Sequence, residues 1–107
     1  MFTVIYRFTA KPDQVAVFQQ SWREMTLLIR AYEGSLGSRL HRDSELVFIA
    51  YAQWPDRTTF ENSGSKLPEH AQPVRKVLRE ACESIETLHK LEVLDDLLIH
   101  PNSNAAQ

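Results

Sequence analysis

Two different periodicities organise the first part of the chain. Residues 2–9 alternate, with Phe, Val, Tyr and Phe at even positions and Thr, Ile, Arg and Thr at odd positions, which predicts a β-strand. Pro12 and Asp13 mark the start of a helix, and Gly34 marks its end. Between them, from residue 14 to about residue 32, large apolar side chains recur at steps of three and four, as on one face of an amphipathic helix: Phe18, Trp22, Met25, Ile29 and Tyr32.

A β-hairpin is predicted next. Residues 36–42 alternate in polarity, residues 42–45 are polar enough to turn, and residues 46–54 form the second strand. Residues 46–52 are apolar or aromatic at every position, as in a strand that is covered on both faces. A chain of this length is too short to cover both faces of its own sheet, so the pattern favours association with a second copy.

Two further helices are expected in the second half of the chain. Pro55 ends the strand, and Asp56 can cap a short helix that reaches residue 60 or 61. After a loop at residues 62–65, a longer helix should begin near Ala71, with Pro73 in its first turn. Its inward residues are expected to be Val74, Val77, Leu78, Ala81 and Cys82. A solvated outer face is expected for the charged residues Arg75, Lys76, Arg79, Glu80 and Glu83.

The segment at residues 84–99 fits two periodicities. Its leucines at positions 88, 91, 94 and 98 follow a helical spacing, whereas residues 87, 89, 91 and 93 follow one face of a strand. The local pattern leaves both alternatives open. The last residues, 99–107, are mostly polar and are expected to form a flexible C-terminal tail.

Composition narrows the class of protein. The 107 residues are 43% hydrophobic and 24% charged, which is typical of one folded domain. A net charge of -2 leaves no basic excess for nucleic acid, and no apolar stretch approaches the roughly 20 residues that cross a bilayer. The N-terminal sequence does not follow the pattern of a secretion signal. We therefore expect a cytoplasmic protein without nucleic-acid or membrane partners.

Motifs for cofactors and metals are missing from the sequence. The single cysteine, Cys82, excludes an intramolecular disulfide and a CxxC pair, and it is expected to be a small buried apolar side chain. There is no glycine-rich phosphate loop, and His41 and Asp43 have no second histidine at a ligand spacing. We therefore expect no flavin, no haem and no bound metal ion.

The predicted elements, in their order, are close to the split βαβ pattern of a ferredoxin-like domain. Residues 34–42 (GSLGSRLHR) and 48–55 (FIAYAQWP) resemble the antibiotic biosynthesis monooxygenase family. Residues 4–8 (VIYRF) and the Lys11-Pro12 pair before the first helix agree with this resemblance. It covers residues 2–98, nearly the whole chain.

The resemblance implies a fold and an assembly. It implies an α+β domain at residues 1–98 with a four-stranded antiparallel sheet, in which residues from about 86 to 94 form the last strand. In this family two sheets face each other across a two-fold axis with the helices outside, which makes a dimeric α/β-barrel. A homodimer is therefore expected, in agreement with the apolar strand at residues 46–52.

The resemblance also implies a chemistry, because the family includes oxygenases in which a deprotonated, electron-rich phenol reduces oxygen without a cofactor. The protein must then supply a dry aromatic pocket, a base, and a cation or hydrogen-bond donor for the developing anion. His41 is the candidate base, because imidazole titrates near neutral pH, and Arg39 lies two residues away on the same strand face. The alternative is that both residues are exposed or face a dimer partner, and pair with carboxylates.

Four more residues are candidates on the same grounds. His70 is a second candidate base at the mouth of a pocket, or else an exposed turn residue. Trp22, Tyr51 and Trp54 are candidates for a flat substrate-binding cavity, because aromatic rings stack well on polycyclic ligands. Each of these three would also serve as an ordinary core residue.

Three functions follow from the sequence, in order. The first is a cofactor-independent monooxygenase that acts on a quinol or polyphenol. The alternative is a non-catalytic dimer, ligand-binding or stress-associated, that uses the same pocket for a small aromatic molecule. Haem degradation is third, because a haem degrader of this family would be expected to place an asparagine on the first strand and a histidine within the late helix. Residues 2–7 contain no asparagine, and His70 precedes that helix.

Overall fold

Four strands and three helices follow one another in residues 1–99, which are the residues that the computed structural model describes. In chain order they are β1 (Phe2–Ala10), α1 (Val15–Tyr32), β2 (Ser38–Arg42), β3 (Val47–Trp54), α2 (Arg57–Glu61), α3 (Ala71–Glu80) and β4 (Cys82–Glu92). No helix in this part of the chain is both long and apolar enough to cross a membrane. The predicted tail at residues 99–107 lies, apart from its first residue, outside the described residues.

The four strands form one antiparallel sheet in the order β2-β3-β1-β4. The expected ferredoxin-like α+β arrangement is therefore confirmed. Of the two alternatives for residues 84–99, the strand is confirmed and the helix is wrong. The strand begins at Cys82, earlier than the expected residue 86, because the chain leaves α3 directly into pairing with Ala10. The backbone N–H and C=O groups of β4 form hydrogen bonds with those along the edge of β1 that β3 does not occupy.

The even-numbered side chains of β1 form the floor of the core. Each lies opposite an even-numbered residue of β3, as Phe8 lies opposite Phe48 and Phe2 opposite Trp54. Helix α1 places the fully buried Phe18 on this floor, with its ring centroid 5.2 Å from that of Phe8 and 5.0 Å from that of Phe48. Tilted aromatic pairs at this spacing add to the stability that burial alone provides.

The odd-numbered side chains of β1 and β3 point to the other face of the sheet. The three helices pack on the even-numbered face, so this outer face carries no helix within residues 1–99. Ile5, Val47 and Ile49 are partly buried there by their neighbours in the sheet. On the same face Arg7 Nε lies 2.9 Å from a carboxylate oxygen of Glu86, which is its partner in the β1–β4 register.

Helix α3 is rotated relative to the expected orientation. Ala71, Val74 and Leu78 face the core, and Leu78 is only 8% exposed. Val77 was expected to point inward but is 44% exposed, so that expectation is wrong. Each residue advances about 100° around an α-helix, and Val77 therefore lies a quarter turn or more from the direction of Leu78.

Asp56 caps α2, as its position after Pro55 predicted. The backbone N–H of Thr59 donates to Asp56 Oδ1 at 2.7 Å, and the Thr59 hydroxyl donates to the same oxygen at 2.8 Å. Both bonds favour the charged carboxylate, and they lower the pKa of Asp56 below its ordinary value. The ionised form of Asp56 therefore stabilises the folded state more than the protonated form does.

We expect Asp56→Ala to lower the melting temperature at neutral pH and Asp56→Asn to retain most of the stability, because an asparagine also caps a helix. The pKa of Asp56 is lowered by folding, so its stabilising contribution is present above the ordinary pKa and is lost as the pH falls through the folded-state pKa. Thermal melts at neutral pH and at about pH 2.5 measure this. A gap between wild type and Asp56→Ala that is equal at both pH values would contradict it.

Candidate functional site

A cavity of about 420 Å³ lies between the even-numbered face of the sheet and helices α1 and α3. Its size falls in the range of small-molecule sites, which is about 300–1,000 Å³. Strands β1 and β3 form its floor, and α1 and α3 form its walls. Its lining contains aromatic rings, aliphatic side chains, three small hydroxyl side chains and two arginines.

Four aromatic side chains line this cavity: Tyr6, Phe8, Trp22 and Trp54. Tyr6 and Phe8 point into it because they occupy even positions of β1, and Trp54 does so from β3. Trp22 reaches it from the inward face of α1, one turn after Phe18. Trp22 and Trp54 are the two tryptophans of the chain, and both line this cavity. The lining is suited to a flat, apolar ligand that can stack on aromatic rings.

Two polar groups in this lining have no protein partner. The indole Nε1–H of Trp54, a residue only 4% exposed, is buried without a hydrogen bond. In residues 1–99 the hydroxyl of Tyr6 also makes no hydrogen bond, and burial raises the pKa of Tyr6 above its ordinary value. Tyr6 therefore stays protonated at neutral pH. The Tyr6 hydroxyl is therefore an unpartnered donor for an acceptor atom of a ligand, whereas the Trp54 N–H is enclosed by protein atoms and does not open into the cavity.

Two arginines of α3, Arg75 and Arg79, also line the cavity. Arg75 is partly buried and Arg79 is exposed. The sequence interpretation assigned both to a solvated face, which is wrong for Arg75. Arg75 lies three residues before the buried Leu78, about 60° away around the helix. This spacing indicates a position near the core side of α3, but the charge of Arg75 led the sequence analysis to place it in solvent.

The candidate aromatic residues divide between the two faces of the sheet. Trp22 and Trp54 line the cavity. Tyr51 occupies an odd position of β3, opposite Ile5, and therefore points to the outer face. There its hydroxyl accepts a hydrogen bond from Thr3 and donates one to Gln53, both at 3.3 Å. A ligand in the cavity does not reach Tyr51.

Arg39 and His41 share one face of β2, as their spacing predicted. Arg39 lies opposite Tyr51 and His41 opposite Ile49 in the β2–β3 register, so both side chains are on the outer face. Both are exposed, and His41 Nδ1 lies 3.2 Å from the carbonyl oxygen of Ile49. Neither forms an ion pair within residues 1–99. Their proposed catalytic role stays a prediction, and it would require a substrate bound on the outer face.

The three histidines of residues 1–99 do not enter the cavity. His70 is exposed at the residue before α3 and makes no capping hydrogen bond. His89 lies on β4 opposite Ile5, on the outer face. None of the histidines in the described range lines the cavity, and His100 lies outside that range. The role of His70 as a base at a pocket mouth stays a prediction.

Cys82 is buried at the start of β4, as expected for a small apolar side chain. Burial raises the pKa of its thiol to about 11, so the nucleophilic thiolate is scarce at neutral pH. Across residues 1–99, no three side chains of the histidine, cysteine, aspartate and glutamate types lie together in a way that could hold a metal ion. The absence of a cofactor stays a prediction.

Residues 1–75 match the model of the antibiotic biosynthesis monooxygenase family. This chain belongs to that family. The resemblance to this family in the sequence is thereby confirmed, over residues 1–75. The matched residues include β1, α1, β3 and therefore most of the cavity lining. They end at Arg75, so Arg79 and β4 lie beyond the part that the family model covers.

Solved structures of similar proteins confirm the monooxygenase-family fold. SnoaB from Streptomyces nogalater, a cofactor-independent oxygenase, has a TM-score of 0.72 and 19% identity, over 90% of this chain and 95% of that chain. Rv0793 from Mycobacterium tuberculosis has a TM-score of 0.69 and 18% identity, over 91% and 98%. PA3566 from Pseudomonas aeruginosa has a TM-score of 0.67 and 23% identity, over 88% and 94%. No curated protein matches the sequence.

We expect Tyr6→Phe to leave the stability of this monooxygenase-family domain unchanged within about 0.5 kcal/mol, or to raise it, because the lost hydroxyl has no protein partner. Urea unfolding followed by far-UV circular dichroism measures the effect. As a comparison, Thr3→Val removes a hydroxyl that bonds to Tyr51 and should be destabilising. A loss of more than about 1 kcal/mol in Tyr6→Phe would show that its hydroxyl is bonded within the protein.

Proposed function

We propose that this protein is a cofactor-independent monooxygenase that oxidises an electron-rich aromatic molecule, a quinol or a polyphenol, in the cavity between the sheet and the helices. Membership of the monooxygenase family supports the reaction class. SnoaB, which has the same fold, is a cofactor-independent oxygenase. The observation that carries the proposal is the aromatic cavity, in which the hydroxyl of Tyr6 has no protein partner within residues 1–99.

The cavity suits the ground state of such a substrate. A planar phenol can pack against the rings of Trp22 and Trp54, and one of its oxygen atoms can accept the unpartnered hydrogen bond of Tyr6. The floor beside these rings is made of small side chains, Ala50 and Ala52, which leave room for a ring above the sheet. Water is unfavourable against so many apolar atoms.

The same donor would act on the reactive anion. When the phenol loses its proton, the hydroxyl of Tyr6 can donate to the oxyanion, which is more stable beside a fixed donor than beside apolar rings alone. The electron-rich anion then reduces oxygen. For an anthrone-like polyphenol, a CH₂ group between aromatic rings becomes a carbonyl: one atom of O₂ enters the carbon and the other leaves as water with the two hydrogens. For a quinol, the ring loses two electrons and two protons to become a quinone, and O₂ takes them up as hydrogen peroxide.

Within residues 1–99, the cavity lining supplies no side-chain base for the first step. Burial raises the pKa of Tyr6, which therefore keeps its proton at neutral pH, and the guanidinium groups of Arg75 and Arg79 have no acceptor atom. The phenolic proton would therefore pass to solvent. The rate should then rise with pH through the pKa of the substrate itself.

The absence of a base in the lining also favours a second candidate function. A protein that only binds a small aromatic molecule needs the stacking rings and the donors but no proton acceptor. The two functions differ in one measurable property, because a binding protein takes up no oxygen in the presence of its ligand.

We expect oxygen uptake with 1,8-dihydroxyanthrone or a substituted hydroquinone, and we expect Tyr6→Phe to lower kcat by about 100-fold, as the loss of one oxyanion donor does. Tyr51→Phe makes the same chemical change on the outer face and should leave kcat unchanged. An oxygen electrode and the absorbance of the quinone product give the rates, and thermal melts verify folding.

The opposite result in these variants would place the active site on the outer face of the sheet. If His41→Ala or Arg39→Ala abolishes turnover while Tyr6→Phe does not, the proposed cavity site is wrong and the sequence prediction is right. If wild type binds these phenols but consumes no oxygen above the uncatalysed rate, the function is ligand binding.

We also propose that the protein is a homodimer that buries the outer face of its sheet. Ile5, Val47 and Ile49 lie on that face at diagonal positions of β1 and β3 and form an apolar strip, in which Ile49 is flanked by Arg7 on β1 and His41 on β2. Leu91 of β4, opposite Thr3, is 47% exposed on the same face. Exposed apolar surface of this kind is more stable when a second sheet covers it. A second copy supplies a surface of matching shape and the same strip.

We expect wild type to sediment as a dimer at micromolar concentration and Ile49→Lys to sediment as a folded monomer, because a lysine in the strip cannot be buried without a partner. Leu27→Lys is the matched control, since Leu27 is 46% exposed but lies on α1, away from the strip. A wild-type monomer, or a dimer that persists in Ile49→Lys, would contradict the proposed interface.

A further inference from the structure

Arg75 and Arg79 lie four positions apart on α3, and both border the aromatic cavity. Residues at this spacing are neighbours on one face of a helix. Arg75 is partly buried whereas Arg79 is exposed. The two arginines therefore lie toward the solvent-exposed rim of the cavity. The buried Trp54 belongs to the inner part of the lining.

Neither guanidinium has a counter-charge in residues 1–99. They form no ion pair and no side-chain hydrogen bond there, and the cavity lining contains no carboxylate. The one acidic residue within α3, Glu80, is about 140° around the helix from Arg75. Two other arginines of residues 1–99 do form ion pairs, Arg7 with Glu86 and Arg57 with Glu61.

The guanidinium groups of Arg75 and Arg79 have no partner in residues 1–99, so their N–H donors are available to a ligand. A carboxylate matches them well, because its two oxygens fit the parallel N–H donors of an arginine. The position of the pair matters too, since both arginines line the same cavity as four aromatic rings. A ligand that satisfies both features carries its negative charge on an aromatic framework.

We propose that Arg75 and Arg79 bind a carboxylate on the aromatic ligand, so that the preferred substrate of this protein is a quinol or polyphenol that carries a carboxylate group. The inference rests on the proposed function, since it assigns the rings of Trp22 and Trp54 to the aromatic part of the same molecule. Arg75 carries more of the selectivity, because it is the less exposed of the two.

The test compares 2-naphthoate with 2-naphthamide, which has the same ring and nearly the same shape but no charge. Isothermal titration calorimetry measures Kd for both, without any need for turnover. We expect wild type to prefer the acid by about tenfold or more, in line with hydrogen bonds to charged groups. Arg75→Gln should reduce the preference to about twofold, and Arg75→Lys should retain part of it, because a lysine keeps the charge but not the paired donors.

Lys76→Gln is the matched control, because it removes the same charge from the next residue of α3, which is exposed and does not line the cavity. Its preference should equal that of wild type. Equal binding of acid and amide by wild type would overturn the inference but leave the aromatic cavity intact. An equal loss of preference in Lys76→Gln and Arg75→Gln would overturn it as well. If neither compound binds, both the inference and the proposed function fail.

Discussion

The pairing of β1 along both of its edges is the constraint on which the rest of the structure depends. β3 pairs with one edge and β4 with the other, so β1 is the strand that the whole sheet shares. Successive side chains of a strand alternate between faces, and a shift of one residue would exchange them. The β1–β3 register therefore decides that Tyr6 and Trp54 line the cavity together. In the same way, the β2–β3 register places His41 on the face of the sheet opposite the cavity.

The sequence was informative wherever the structure depends on local periodicity. The helical repeat from Phe18 to Tyr32, the cap at Asp56 and the strand alternation of residues 2–9 were predicted correctly, because each involves residues close along the chain. The same reasoning left residues 84–99 undecided. The conformation of these residues depends on pairing with β1, about 80 residues earlier in the chain. A local pattern does not reveal a partner that is distant in sequence.

The candidate site was harder to predict for a related reason. Residues were selected by their chemistry, which favoured His41 and Arg39 as a base beside a cation, and their shared face is confirmed by the β2–β3 register. Which face of the sheet lies under the helices is a property of the assembled sheet, and no single strand contains it. Arg75 was missed for the opposite reason: its charge suggested solvent, although its spacing from Leu78 places it near the core side of α3.

The position of α3 over the cavity depends in turn on a buried carboxylate. Glu33 follows the last residue of α1 and is only 3% exposed. Glu33 Oε2 accepts hydrogen bonds from the backbone N–H groups of Gly64 at 2.8 Å and Lys66 at 3.2 Å. These two bonds tie the loop before α3 to the end of α1. Because that loop leads into the helix that carries Arg75, contacts that lie outside the cavity help to position this wall of the cavity.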